Sequence, residues 1–161
     1  MQIKLTIECK DVSEPSFPHP SGKEYDAEEF LVECARVRMD HGDHNTQVVN
    51  EPPVLFEIEN KKADTYEKFY FLEWANCYWS KGQNQGRRLR SVTLKFIDDG
   101  GKVVRYFNME SAFLASFEEV CSETANDGEN AISYRMVIRS NPKTQTIQFL
   151  PEEPKVSSPD R

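Results

Sequence analysis

Apolar and polar residues alternate over much of this chain. Ile3, Leu5, Ile7 and Cys9 fall on one side and Lys4, Thr6 and Glu8 on the other, the period-two signature of a half-buried strand. Phe30 to Met39 is also extended, but Phe30, Val32 and Cys34 share one face while Ala35, Val37 and Met39 share the other. A change of face inside one run points to a bulge or to burial on both sides. Val54, Phe56 and Ile58 form the next strand. Val92, Leu94 and Phe96 then alternate with Thr93 and Lys95, Asp98-Asp99-Gly100-Gly101 supplies the residues of a tight hairpin, and Val103, Arg105 and Phe107 resume the alternation. A further run, Ala112 to Phe117, keeps the period through Phe113, Ala115 and Phe117. Tyr134, Met136 and Ile138 mark another strand, and Thr144 to Leu150 supplies a last one.

One segment carries the other period. From Thr65 to about Tyr78, the residues Tyr66, Phe69, Tyr70, Trp74 and Cys77 recur at spacings of three and four, with Asp64 as the cap and Glu67 at the capping-box position. The predicted fold is therefore mainly β: a small antiparallel β-barrel or two-sheet sandwich with one flanking α-helix, about residues 65–78. Its expected core is Phe56, Trp74, Leu94, Phe96, Phe107, Phe113, Tyr134 and Met136. Ser13 to Gly22, with Pro15, Pro18 and Pro20, is too proline-rich for helix or central strand and reads as a long loop. His41 to Pro53 and Gly82 to Arg90 read as two more. Residues 1–150 make a single domain, and 151–161, with Pro151, Pro154 and Pro159 among Glu, Lys and Ser, read as a disordered tail.

Composition narrows the partners. The 161 residues suffice for one core, and the formal net charge of -7 disfavours nucleic acid, whose phosphates reward clustered Lys and Arg. The one basic cluster, Arg87, Arg88 and Arg90, precedes a strand and reads as a solvated loop or a subunit contact; it is the candidate subunit interface. No stretch approaches the roughly 18 apolar residues of a membrane span, so no membrane insertion is expected. Met1 to Cys9 alternates and does not read as a signal peptide, which implies synthesis in the cytoplasm. Cys9, Cys34, Cys77 and Cys121 are widely spaced, never as CxxC, and read as reduced buried thiols.

Candidate chemistry is thin. His41, Asp43 and His44 resemble metal ligands, but the remaining histidine, His19, lies in another loop, and an exposed polar loop is the better reading. Asp98, Asp99, Glu118, Glu119 and Glu123 offer carboxylates for acid–base work, yet two of them are turn residues. No serine sits in a GxSxG context, and Cys121 follows an acidic pair that dulls it as a nucleophile. Tyr78 and Trp79, near the helix end, are the aromatics left over for stacking on a ligand. The expectation is a binding or structural protein, not an enzyme, with no catalytic residues, metal or cofactor.

The order of elements and several short apolar signatures carry a resemblance. After the opening strand come Leu31-Val32-Glu33-Cys34, Val54-Leu55-Phe56-Glu57-Ile58, and a helix with Phe71-Leu72-Glu73-Trp74. A hairpin follows from Val92-Thr93-Leu94-Lys95-Phe96 to Val103-Val104-Arg105-Tyr106-Phe107, then the run Met109 to Phe117 and the strand Ile132 to Ile138. Over roughly residues 1 to 149 this resembles the haemolysin-coregulated protein (Hcp) family, the tube subunit of type VI secretion systems, especially its divergent Bacteroidetes-type members.

The resemblance implies a β-barrel subunit that assembles side by side into hexameric rings. The rings stack into a tube that carries effector proteins and is propelled by a contractile sheath behind a spike. Export would then run through the machine itself, without a signal peptide. Two alternatives stand beside this one: a tube or adaptor protein of a phage-like contractile particle, and a monomeric β-barrel binding a small apolar ligand. An apolar cavity would favour the ligand binder, whereas a filled barrel suits the tube subunit.

Overall fold

The computed structural model of the chain describes residues 1–9, 27–39, 54–77, 88–121, 131–141 and 147–155. Among these residues the strands are β1 (Gln2–Glu8), β2 (Ala27–Val32), β3 (Cys34–Met39), β4 (Val54–Asn60), β5 (Arg90–Ile97), β6 (Val103–Cys121), β7 (Ile132–Ser140) and β8 (Ile147–Leu150). The helix α1 (Thr65–Asn76) lies between β4 and β5. All eight strands join one antiparallel sheet in the order β2-β1-β5-β6-β7-β4-β3, with β8 added beside β6. The alternation at Leu5, Leu94 and Phe107 is aligned across the sheet, since Leu5 pairs Leu94 and Leu94 pairs Phe107. Residues opposed in a ladder point to the same face, so three strands present one apolar side.

The run from Phe30 to Met39 proves to be two strands. It breaks at Glu33, and its halves join opposite ends of the sheet: β2 pairs β1, whereas β3 pairs β4. Two end strands joined by one residue must lie close together, so the sheet wraps round its core toward a barrel. Among the described residues no ladder closes the path between β2 and β3. The seam is bridged instead by a side chain, since Asn60 at the end of β4 donates its Nδ2 to the Leu31 carbonyl at 3.2 Å.

The runs at Val103 and at Ala112 prove to be one strand, β6, of 19 residues. Its first part pairs β5 on one edge and β8 on the other, and its second part pairs β7. Register shifts set Glu110 and Ser111 against Ser91, and leave Ala115 without an opposite between Leu114 and Ser116. Each extra residue flips the phase of the strand beyond it. Met109, Ala112 and Leu114 therefore point inward, and Phe117 returns to the core face to stack on Tyr134 at 5.9 Å. Phe113, expected in the core, is only half-buried and lies on the opposite face of β6 from Leu114. Phe96 and Phe107 are also half-buried, while Phe56, Trp74, Leu94, Tyr134 and Met136 are fully enclosed as expected.

The β5–β6 hairpin forms where Asp98 to Gly101 stand. Asp98 Oδ1 accepts from the backbone N–H groups of Gly100 (3.0 Å) and Lys102 (2.9 Å), and Gly101 takes the positive φ of 86° that a side chain would resist. At the other end, Leu150 closes β8, and beyond it Glu153 Oε1 meets Lys95 Nζ at 2.6 Å. Residues 156–161, the loops Ser13 to Gly22 and His41 to Pro53, and the Gly82 to Arg87 part of the third loop lie outside the described residues.

Asp64 caps α1 as expected, its Oδ1 accepting from Glu67 N at 2.8 Å. The buried face is Glu67, Lys68, Tyr70, Phe71 and Trp74; the expected stripe holds at Tyr70, Trp74 and Cys77, Tyr66 is half-buried against the core, and Phe69 departs from it. Phe69 and Leu72 turn outward, 43% and 41% exposed. The inward face covers the open side of the sheet through ring contacts of Phe71 with Phe30 (4.9 Å) and with Tyr134 (5.4 Å). Aromatic side chains thus join the helix to a core that is otherwise largely aliphatic.

Candidate functional site

The basic cluster divides. Arg87 lies outside the described residues. Arg88 is exposed, with its guanidinium 5.4 Å from the Phe113 ring centroid, and its carbonyl accepts from Trp74 Nε1 at 2.8 Å. Arg90 is no loop charge: it is the first residue of β5, 2% exposed, with its guanidinium over the rings of Trp74 (5.0 Å) and Tyr70 (5.2 Å). The arginine plane packs on the aromatic faces that α1 lays across the sheet, so Arg90 belongs to the subunit's interior. Burial pushes the Tyr70 phenol up to about 12, against the pull of the Arg90 charge beside it.

A second polar cluster is buried under α1, and sequence reasoning missed it. Glu67, expected to fold back over the helix start, points inward instead, and its carboxylate accepts from Asn60 Nδ2 at 3.0 and 3.2 Å and from Tyr134 OH at 3.2 Å. Burial raises its pKa from the usual 4.5 to about 7, opposed by those two hydrogen bonds; the Asp64 charge pushes the same way as burial and Lys68 the other. Tyr134 is raised as well, by burial first and the Glu67 charge second. The signal for Glu67 was in the sequence: it is in phase with Tyr70, Phe71 and Trp74, and a carboxylate in phase with a buried aromatic stripe needs internal donors.

The remaining candidates do not converge. Asp98 and Asp99 form the β5–β6 turn, Glu118 and Glu119 stand near the far end of β6, and Glu123 lies outside the described residues. His19, His41, Asp43, His44, Tyr78 and Trp79 also lie outside them. Among the described residues no three metal-ligating side chains come together. Nor is any helix there long and apolar enough to cross a membrane. The four cysteines are free, but only Cys9 and Cys77 are buried; Cys34 and Cys121 are exposed, a departure from the expected burial of all four.

The surface that the fold does offer is the pair of sheet ends, β2 and β3, with the outward face beside β3. There Glu57 meets Arg38 at 3.3 Å and Arg36 at 4.0 Å, and Glu59 meets Arg135 at 2.8 Å. These ion pairs cross β3, β4 and β7 and set three arginines against two glutamates on that face. An end strand carries backbone donors and acceptors on its free side, and proteins cover such edges or pair them with another chain.

A single antiparallel sheet wrapped round its core, with one helix over its open side, is an arrangement that solved structures share. Solved structures carry the likeness. Hcp1 from Flavobacterium johnsoniae matches with a TM-score of 0.55 at 12% identity, over 94% of this chain and 96% of that one. Hcp1 from Salmonella typhimurium matches with a TM-score of 0.51 at 11% identity, over 86% of this chain and 81% of that one. A chain of the sheath–tube complex of PVC, an extracellular contractile injection system, matches with a TM-score of 0.51 at 10% identity, over 92% and 89%. The chain thus has an Hcp-like fold. No protein-family profile and no curated protein sequence matches it.

Proposed function

We propose that this chain is the subunit of a hollow tube in a contractile secretion apparatus, assembling head to tail into hexameric rings that stack. The observation that carries the reading is the extent of the fold likeness: the match covers 94% of this chain and 96% of the Flavobacterium Hcp1 chain. A head-to-tail interface closes into a ring when its rotation allows, and two sheet ends on one subunit provide a heterologous pair of surfaces. The enclosed core of Phe56, Phe71, Trp74 and Tyr134 supports a structural role over the ligand-binding barrel, which needs an apolar cavity.

In this reading the partners are further copies of the chain, a contractile sheath, a spike and effector proteins. The protein is made in the cytoplasm and leaves through the machine, and it performs no catalysis. The likeness to the PVC tube–sheath complex favours a second form of the same reading, in which the tube belongs to a phage-like particle. Multi-angle light scattering at micromolar concentration tests both: a particle of six times the 18.6 kDa subunit mass is expected. A monomer at every salt concentration contradicts the proposal.

A further inference from the structure

The seam of the sheet is held by groups that the tube role does not require. β2 runs through Glu33 into β3, so the chain passes here from one end of the sheet to the other. Two contacts pin that corner to β4 and its following turn: Asn60 Nδ2 on the Leu31 carbonyl at 3.2 Å, and Lys61 N on Glu33 Oε1 at 3.0 Å. Asn60 is itself fixed, since its Oδ1 accepts from Lys62 N at 3.2 Å, and it is 2% exposed.

Asn60 Nδ2 has two hydrogens and three acceptors within 3.2 Å: the Leu31 carbonyl and both oxygens of Glu67. An ionised Glu67 draws both N–H groups toward its charge, and a neutral one releases one of them to Leu31. Glu67 rides on α1, accepts from Tyr134 of β7, and has Asp64 and Lys68 of its own helix as its charged neighbours. One carboxyl therefore ties the helix, β4, β7 and, through Asn60, the corner at β2.

We infer that Glu67, Asn60 and Tyr134 form a proton-linked clasp that holds the Leu31–Glu33 corner when Glu67 is neutral and loosens it when Glu67 ionises. Burial places that change close to neutrality, between the protonated and ionised clasp. Since the corner joins the two end strands, the clasp sets how firmly both ends of the sheet are positioned. The inference concerns the subunit alone and stands whether or not the subunit forms tubes.

The test is amide hydrogen exchange of residues 31–33 and 60–62 in the full chain at pH 6 and pH 8, corrected for the intrinsic rate. If opening exposes Glu67 to water, protection of these amides falls by about tenfold across that range, as proton linkage requires for a group near 7 when closed and 4.5 when open. In Glu67→Gln, which cannot ionise, the protection is the same at both values. Should that variant fail to fold, the carboxyl carbon of Glu67 in isotope-labelled wild type decides: a midpoint near 7 that coincides with the loss of protection at residues 31–33 and 60–62 upholds the clasp. Equal protection at both pH values in the wild type, or a midpoint near 4.5, overturns it.

Discussion

The guanidinium carbon of Arg90 lies 5.0 Å from the ring centroid of Trp74, with both side chains enclosed between helix and sheet. Arg90 and Glu28 are both buried, and the charge of each acts on the Tyr70 phenol, Arg90 more strongly. The same arginine plane covers Tyr70, which makes it part of the packing and not a surface charge.

Arg90→Ala is accordingly expected to destabilise the subunit by roughly 3 kcal/mol or more, because it removes a desolvated cation from two aromatic faces and strips its neighbours of their partner. Arg88→Glu, at an exposed position, is expected to change stability by less than about 1 kcal/mol. Urea unfolding of the two variants checks this. Equal and small effects would contradict the placement of Arg90.

Trp74→Ala should cost on the order of 3–5 kcal/mol through the cavity it leaves. Its indole N–H also ties the chain at Arg88 to the helix, at 2.8 Å from the carbonyl. Trp74→Phe keeps most of the volume and loses that bond, so it should cost about 1–2 kcal/mol. The difference between the two variants, read by thermal or chemical unfolding, separates packing from hydrogen bonding.

Glu67 predicts the pH dependence of global stability. Burial raises its pKa from 4.5 to about 7, so between those values the folded chain holds a proton that the unfolded chain has lost. This contribution is complete below pH 4.5 and is lost as pH rises through 7, by an amount on the order of 3 kcal/mol at most. The unfolding midpoint should therefore drop from pH 6 to pH 8 in the wild type and change much less in Glu67→Gln. A wild-type midpoint that rises over that interval contradicts the sign.

Period-two alternation made β1, β4, β5 and β7 legible, because burial alternates along most of each strand. It divided β6, where Glu110 and Ser111 face Ser91 and Ala115 has no opposite. A bulge changes the phase without any fixed residue type, so Phe113 read as inward when its place is beside Arg88 on the outer face. It also merged β2 with β3, because a corner at Glu33 needs neither Gly nor Pro. The polar residues of the interior were the hardest to see. Arg90 looked like the end of a basic loop and Glu67 like a capping residue, and only their packing partners, far away in sequence, reveal them as buried.

The thiols give a further check. With Cys9, Cys34, Cys77 and Cys121 all free, reductant should leave the melting temperature unchanged. Cys34 and Cys121 should react with a maleimide in the folded protein, while Cys9 and Cys77 should react only after unfolding. A marked loss of stability on reduction would reveal a disulfide and contradict this arrangement.

The central claim is assembly, and images of the purified protein test it most directly. Negative-stain class averages should contain sixfold rings with an open centre, some of them stacked. Charge reversal at Arg87 and Arg88, leaving Arg90 in place, should reduce the ring fraction while circular dichroism stays unchanged. Fields of small particles without a ring at any protein or salt concentration would contradict the tube account.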